Sequence, residues 1–198
     1  MLNVFRIVLL LGMAGWASGA GERLLSGKRV LFVVFDRYHP LEYGVPEKRL
    51  KKRGASVVVA SSSKKVLHAY HSREKLHPVL LLKKARMSEF DALVFIGGYR
   101  YESNNPETWR LVHEALRQGK PVAAICIAPV TLAKADVIRG KRVTASTRFR
   151  TLKKAKGIVL HRSVVRDGLL ITANGPAAAE QFAGAIVDAL ENPGASVH

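Results

Sequence analysis

A single cysteine, Cys126, serves all 198 residues. An internal disulfide and a cysteine-based zinc site are thereby excluded. The thiol is a buried structural group, a partner for another chain or a reactive nucleophile. Acidic residues are also scarce, 15 against 32 lysines and arginines, for a formal charge of +17. The seven histidines show no H-x-x-x-H spacing on a helix, so neither a metal nor another cofactor is expected. Aromatic residues do not interleave with the cations, and no nucleic-acid motif accompanies them, which argues against specific nucleic-acid recognition. What is there is 48% hydrophobic and 24% charged residues, enough to bury the core of one domain. Wholesale disorder, collagen, coiled-coil and multi-span membrane chains are excluded.

The N-terminal segment stands apart. Arg6 precedes an apolar run from Ile7 to Ala17, followed by the small residues Ala17-Ser18-Gly19-Ala20. That is the charged, apolar, small-residue order of a secretory signal peptide over residues 1–20, with cleavage near Gly19 or Ala20. The run is short for a membrane span, and an uncleaved N-terminal anchor is the alternative. The expectation is a domain over 26–192 that works outside the cytoplasm.

From Lys28 onward, strands and helices alternate. Val30 to Phe35 is a continuous apolar, β-branched run, as in a strand covered on both faces. A helix is predicted over Pro40 to Arg53, stopped by Gly54. Val57–Ala60 reads as a strand, Val66–Leu82 as a hairpin or edge insertion, and Ala92–Ile96 as a buried strand ending in Gly97-Gly98. Asn105 and Pro106 open a helix to Gln118. The strand Val122–Ile125, Cys126 and a helix from Pro129 to Ala135 follow. Val143-Thr144, Ile158–Leu160 and Leu169–Thr172 are predicted strands, Arg148–Lys156 a surface loop, and Pro176–Leu190 the closing helix. The alternation predicts an α/β domain with a doubly wound, mainly parallel sheet and helices on both faces.

In such sheets ligands bind at the carboxyl ends of the strands. Three features converge there: the loop holding Asp36, His39 and Glu42, the Gly97-Gly98 pair, and Cys126. Cys126 falls at a strand-to-helix turn, the geometry of a nucleophile elbow, where a helix N-terminus favours a thiolate. A buried structural thiol fits the same position.

The stretches Asp91-Ala-Leu-Val-Phe-Ile-Gly-Gly98, Ala123-Ala-Ile-Cys-Ile-Ala-Pro129 and Asp167-Gly-Leu-Leu-Ile-Thr-Ala-Asn-Gly-Pro176, with the helix that follows, resemble the ThiJ/PfpI superfamily over about Lys28 to Leu190. They are most similar to its parkinsonism-associated deglycase (DJ-one) branch. The resemblance implies a flavodoxin-like fold of the class I glutamine amidotransferase kind, a homodimer, and Cys126 as the reactive cysteine. It also marks Glu42, in His39-Pro-Leu-Glu-Tyr-Gly-Val-Pro46, as the carboxyl that hydrogen-bonds the sulfur. Two adjacent anions repel in a low-dielectric pocket, so Glu42 is expected to keep its proton beside a thiolate and to tune it. A solvated first-turn glutamate is the alternative.

Three departures matter. The peptidase-like branch carries a histidine directly after the cysteine, where this chain has Ile127. The deglycase branch places one after the next strand, where this chain has Ser146. The glycine after the elbow is Ala128 here, which is expected to narrow the space beside the sulfur. His39, three residues before Glu42, is the best substitute base. Gly97, Gly98, Ile127, Ser146 and Pro176 complete the expected pocket, with the N–H groups of Gly98 and Ile127 at the oxyanion. The leading expectation is weak glyoxalase- or deglycase-like chemistry on a small reactive carbonyl. The second is a redox protein whose Cys126 oxidises to sulfinate, and the third is a cysteine peptidase or amidase. The basic stretches Lys48–Arg53 and Arg148–Lys156 suit peripheral contact with an anionic surface.

Overall fold

The structure, a computed structural model, describes residues 24–193. The expected signal segment lies outside them. In chain order the elements are β1 (Arg29–Val33), α1 (Pro40–Lys52), β2 (Ser56–Ser61), β3 (Leu67–His68), β4 (Lys75–Leu76), β5 (Leu80–Leu81), β6 (Ala92–Phe95), α2 (Pro106–Arg117), β7 (Val122–Ile125), α3 (Pro129–Lys134), β8 (Arg142–Val143), α4 (Phe149–Lys154), β9 (Ile158–Val159), β10 (Val164–Asp167), β11 (Leu170–Ala173) and α5 (Ala179–Glu191).

Seven strands form one sheet in the order β10-β11-β7-β6-β1-β2-β5, parallel throughout except for the β10–β11 hairpin. The apolar run of β1 serves both faces. Val30 and Phe32 pack with Leu50, Phe182 and Ile186 of α1 and α5. Leu31 and Val33 pack with Leu111, Val112, Leu132 and Leu152 of α2, α3 and α4. Strand alternation thus divides one sequence run between two cores, which is why β1 has no polar face. No helix among the described residues is long and apolar enough to cross a membrane.

Two local expectations hold in atomic detail. The Asn105 side chain accepts the Glu107 N–H at 3.1 Å as the cap of α2. Gly54 takes φ +97° just past α1, a backbone conformation that L side chains rarely adopt.

Four expectations need correction. Residues 148–156 are not a loop: α4 forms there, anchored by the fully buried Leu152. An additional strand, β10, Val164–Asp167, pairs antiparallel with β11 around a turn at Gly168, φ +60°. The strands expected near Val143 and Ile158 form a separate two-residue parallel ribbon, β8–β9, outside the main sheet. The closing helix starts as a single 3₁₀ turn, Pro176–Ala178, before α5.

Candidate active site

The chain leaves β7 and turns at once into α3, which forces Cys126 to φ +66°. A cysteine tolerates this left-handed conformation only where its surroundings hold it. Here the Cys126 N–H donates to the Ala173 carbonyl at 2.9 Å, and the Ser146 N–H donates to the Cys126 carbonyl at 2.9 Å. The ends of β7 and β11 and the segment after β8 therefore clamp the elbow. That segment is itself tied down: the Thr144 N–H donates to Thr172 Oγ1 at 2.9 Å, and the Thr144 hydroxyl to the Arg162 carbonyl at 2.8 Å. The expected strand-to-helix turn is formed at Cys126, and Ser146 Oγ lies 3.2 Å from Cys126 Sγ.

Glu42 enters from the first turn of α1 and is completely buried. The solvated alternative is thereby removed. Gly97 separates it from the cysteine by the width of a backbone: a Cβ on Gly97 would stand 2.5 Å from Glu42 Oε2, 2.7 Å from Cys126 Cβ and 2.9 Å from the Ile125 carbonyl oxygen. The role of Gly97 is close approach, because its own backbone needs no positive φ. Gly98 does the same one residue on, since its Cβ would meet the Arg37 carbonyl oxygen at 2.5 Å.

Burial dominates the titration of both groups. It pushes the Glu42 carboxyl up to about 7, against weaker opposing effects from Cys126 and the Gly97 N–H. Both carboxyl oxygens stand outside full hydrogen-bond geometry, which is why those opposing effects do not win. The Cys126 thiol is pushed up to about 11, first by burial and then by the Glu42 charge, with Ser146 and the Ile127 N–H pulling the other way. Burial thus raises both groups, and of the two the Glu42 carboxyl, at about 7, titrates nearer neutral pH. The helix that starts beyond the sulfur, α3, has only six residues, so its N-terminus offers a thiolate little support.

A direct consequence is slow alkylation. Iodoacetamide modification of Cys126 is expected to be sluggish at pH 7 and to accelerate steeply towards pH 10–11, followed by thiolate absorbance or by mass spectrometry. A thiolate midpoint below the free value of about 8.5 would contradict this assignment.

The remaining expected residues divide. His39 is the N-cap of α1, and its backbone N–H donates to the Gly97 carbonyl at 3.1 Å. Its Nδ1 is buried with no partner among the described residues, and burial lowers its pKa. Among the described residues the side-chain hydrogen bond at the sulfur is with Ser146 and none runs to His39. Pro176 follows Gly175, whose added Cβ would reach Ser146 Cβ at 4.0 Å, so this turn borders the serine. Ile127 is half-buried after the elbow. Ala128 is fully buried in the core under α2 and α3, where its methyl is taken up by packing. Sequence reasoning missed Thr144, Thr172 and Ala173, whose contribution is tertiary hydrogen bonding with no motif of its own.

A doubly wound α/β domain with a clamped elbow cysteine and a buried carboxyl across a glycine defines a class of cysteine-centred crevice proteins. The chain belongs to the DJ-1/PfpI family, whose profile matches residues 28–189. It is 30% identical to the deglycase PfpI of Pyrococcus furiosus over 151 residues, 75% of this chain and 90% of that one. A ThiJ/PfpI domain protein of Brachyspira murdochii superposes with a TM-score of 0.80 at 26% identity, covering 84% of this chain and 99% of that one. A two-domain protein of Anabaena variabilis, containing DJ-1/ThiJ/PfpI-like and ferritin-like domains, superposes with a TM-score of 0.79 at 32% identity over 86% of this chain. The present chain spans half the length of that protein.

Proposed function

We propose that the protein is a Cys126-dependent enzyme acting on small reactive carbonyls, with glyoxalase- and deglycase-like chemistry of low turnover in which Glu42 moves the proton. The observation that carries this reading is the completely buried Glu42 carboxyl held across Gly97 from the elbow cysteine, with burial pushing it up to about 7. A general base works best when its pKa lies near the operating pH. Relatives named deglycases at about 30% identity support it.

In this mechanism Sγ adds to the aldehyde carbon. The C–S bond forms and the carbonyl π pair moves to oxygen, where the N–H groups of Gly98 and Ile127 receive it. The thiol proton passes to the Glu42 carboxylate and from there to the alkoxide, giving a hemithioacetal. With an α-oxoaldehyde, Glu42 then removes the proton on the first carbon and returns one to the second, leaving a thioester. Water hydrolyses the thioester to a 2-hydroxy acid and restores the thiol. The rearrangement is an internal redox exchange and needs no outside oxidant. Ser146 holds the sulfur in place of an imidazole.

Methylglyoxal turnover tests the reading: it is expected to be measurable in the wild type and absent in Cys126→Ser. Equal turnover in both would overturn it. The redox alternative requires an accessible thiolate, and peroxide treatment tests it: two oxygens added to the Cys126 peptide, with no methylglyoxal turnover, would favour it over the enzyme. Peptide hydrolysis needs an acid for the leaving amine, and no imidazole bonds to the sulfur among the described residues. Two further proposals rest on the sequence and the family resemblance: export directed by residues 1–20, and a homodimer. N-terminal sequencing of secreted protein and light scattering test them.

A further inference from the structure

A pocket of about 240 Å³ opens beyond the carboxyl ends of β1 and β6, lined by Arg37, Tyr70, His71, Ser72, Tyr99 and Arg100. The Cys126 mechanism uses none of these residues. Arg37 follows β1, Tyr99 and Arg100 follow Gly97-Gly98, and the other three belong to the turn between β3 and β4. The Arg37 N–H donates to the His68 carbonyl, the Tyr70 N–H to the Tyr38 carbonyl and the Tyr99 N–H to the Arg37 carbonyl, each at 2.8 Å. Three loops are thus laced together around the pocket. Arg37 at φ +60° and His71 at φ +51° are both left-handed, a cost that recurs where backbone aims side chains at a ligand.

The lining is cationic and aromatic. Asp36 engages His68 at 3.4 Å and Arg100 at 3.7 Å, while Arg37 has no carboxylate within 4.0 Å among the described residues. Ser72 Oγ accepts the Glu74 N–H at 3.2 Å and keeps its own hydrogen free to donate. Tyr70 and Tyr99 stack at 5.4 Å with 7° between their planes. The Tyr99 ring is 74% exposed, so the pair serves no core.

We propose that this pocket binds a phosphate monoester with an aromatic or similarly planar body. The phosphoryl group takes charge-assisted hydrogen bonds from Arg37, Arg100 and the Ser72 hydroxyl, and the planar body rests on the tyrosine pair. Two guanidinium groups and a hydroxyl match the several acceptor oxygens of a phosphoryl dianion better than a single carboxylate, which offers two. At the roughly 10–15 Å³ of cavity that one water-sized group needs, the volume holds a phosphoryl group together with a six-membered ring.

Calorimetric titration of the full chain with phenyl phosphate, inorganic phosphate and benzoate tests this. Phenyl phosphate is expected to bind tightest, inorganic phosphate next and benzoate weakest. Arg100→Gln is expected to weaken both phosphates about 10- to 100-fold, the usual worth of a charged hydrogen bond. Tyr99→Ala is expected to lower phenyl phosphate to the level of inorganic phosphate. Both residues are exposed, and circular dichroism confirms folding of each variant. Arg150→Gln with Lys153→Gln on α4 is expected to change nothing, and Cys126 alkylation is expected to stay the same in every variant. No saturable binding, equal affinity for benzoate, or an equal loss in the α4 variant would overturn the site.

Discussion

Gly97→Ala is expected to disable the site while leaving the rest of the fold in place, with methylglyoxal turnover falling at least about a hundredfold, the penalty of roughly an ångström of misplacement. The added methyl would stand 2.5 Å from a Glu42 oxygen, 2.7 Å from Cys126 Cβ and 2.9 Å from a backbone carbonyl. Such distances are below van der Waals contact. Glu42 cannot retreat, because it is completely enclosed. The Ile125 carbonyl cannot retreat without disturbing the end of β7. Overpacking of this kind typically costs roughly 1–3 kcal/mol, so a lowered melting temperature should accompany the lost activity. Wild-type kinetics in Gly97→Ala would show that Glu42 and Cys126 need not approach each other across this glycine.

The second expected result has opposite signs for stability and catalysis. Glu42→Gln removes the proton carrier and should lower turnover by about 10²–10⁴-fold, the usual contribution of general acid–base catalysis. The same change should stabilise the protein at neutral and alkaline pH. The Glu42 carboxyl rises on folding from its ordinary value of 4.5 to about 7. Below about pH 4.5 the folded and unfolded chains both carry the proton. Between 4.5 and 7 the folded chain keeps a proton that the unfolded chain has lost, so stability falls as pH rises through this window and is level above it. The full difference corresponds to about 3 kcal/mol. Denaturant midpoints measured from pH 4 to 8 should decline for the wild type and show a flatter course for Glu42→Gln. Parallel pH profiles for the two proteins would mean that the carboxyl is solvated.

Much of this architecture could be read locally. After Arg29 the β1 run is apolar at every position, Val30 to Val33, so its burial on two faces follows from composition alone. Asn105-Pro106 and Gly54 are caps whose chemistry acts within a few residues. Two elements escaped for equally local reasons. Helix α4 is a cationic segment with one fully buried anchor, Leu152, and its helical state depends on the core waiting beneath it. In β10 only two apolar residues precede Arg166-Asp167, too few to announce an edge strand until β11 is there to pair with it.

The sequence by itself determined the doubly wound order of elements, the cysteine at a strand-to-helix turn and the absence of an internal disulfide, because each depends on residue type and short-range spacing, while Glu42 as its partner was marked by the family resemblance. Only the tertiary structure decided what those groups do. Residues 42, 97 and 126 lie far apart along the chain, and the enclosure that moves the carboxyl to about 7 and the thiol to about 11 is built by the sheet and the loops around it. Acidity depends on desolvation and on the nearest charge, and the tyrosine–arginine pocket depends on three loops meeting. No window of sequence contains either.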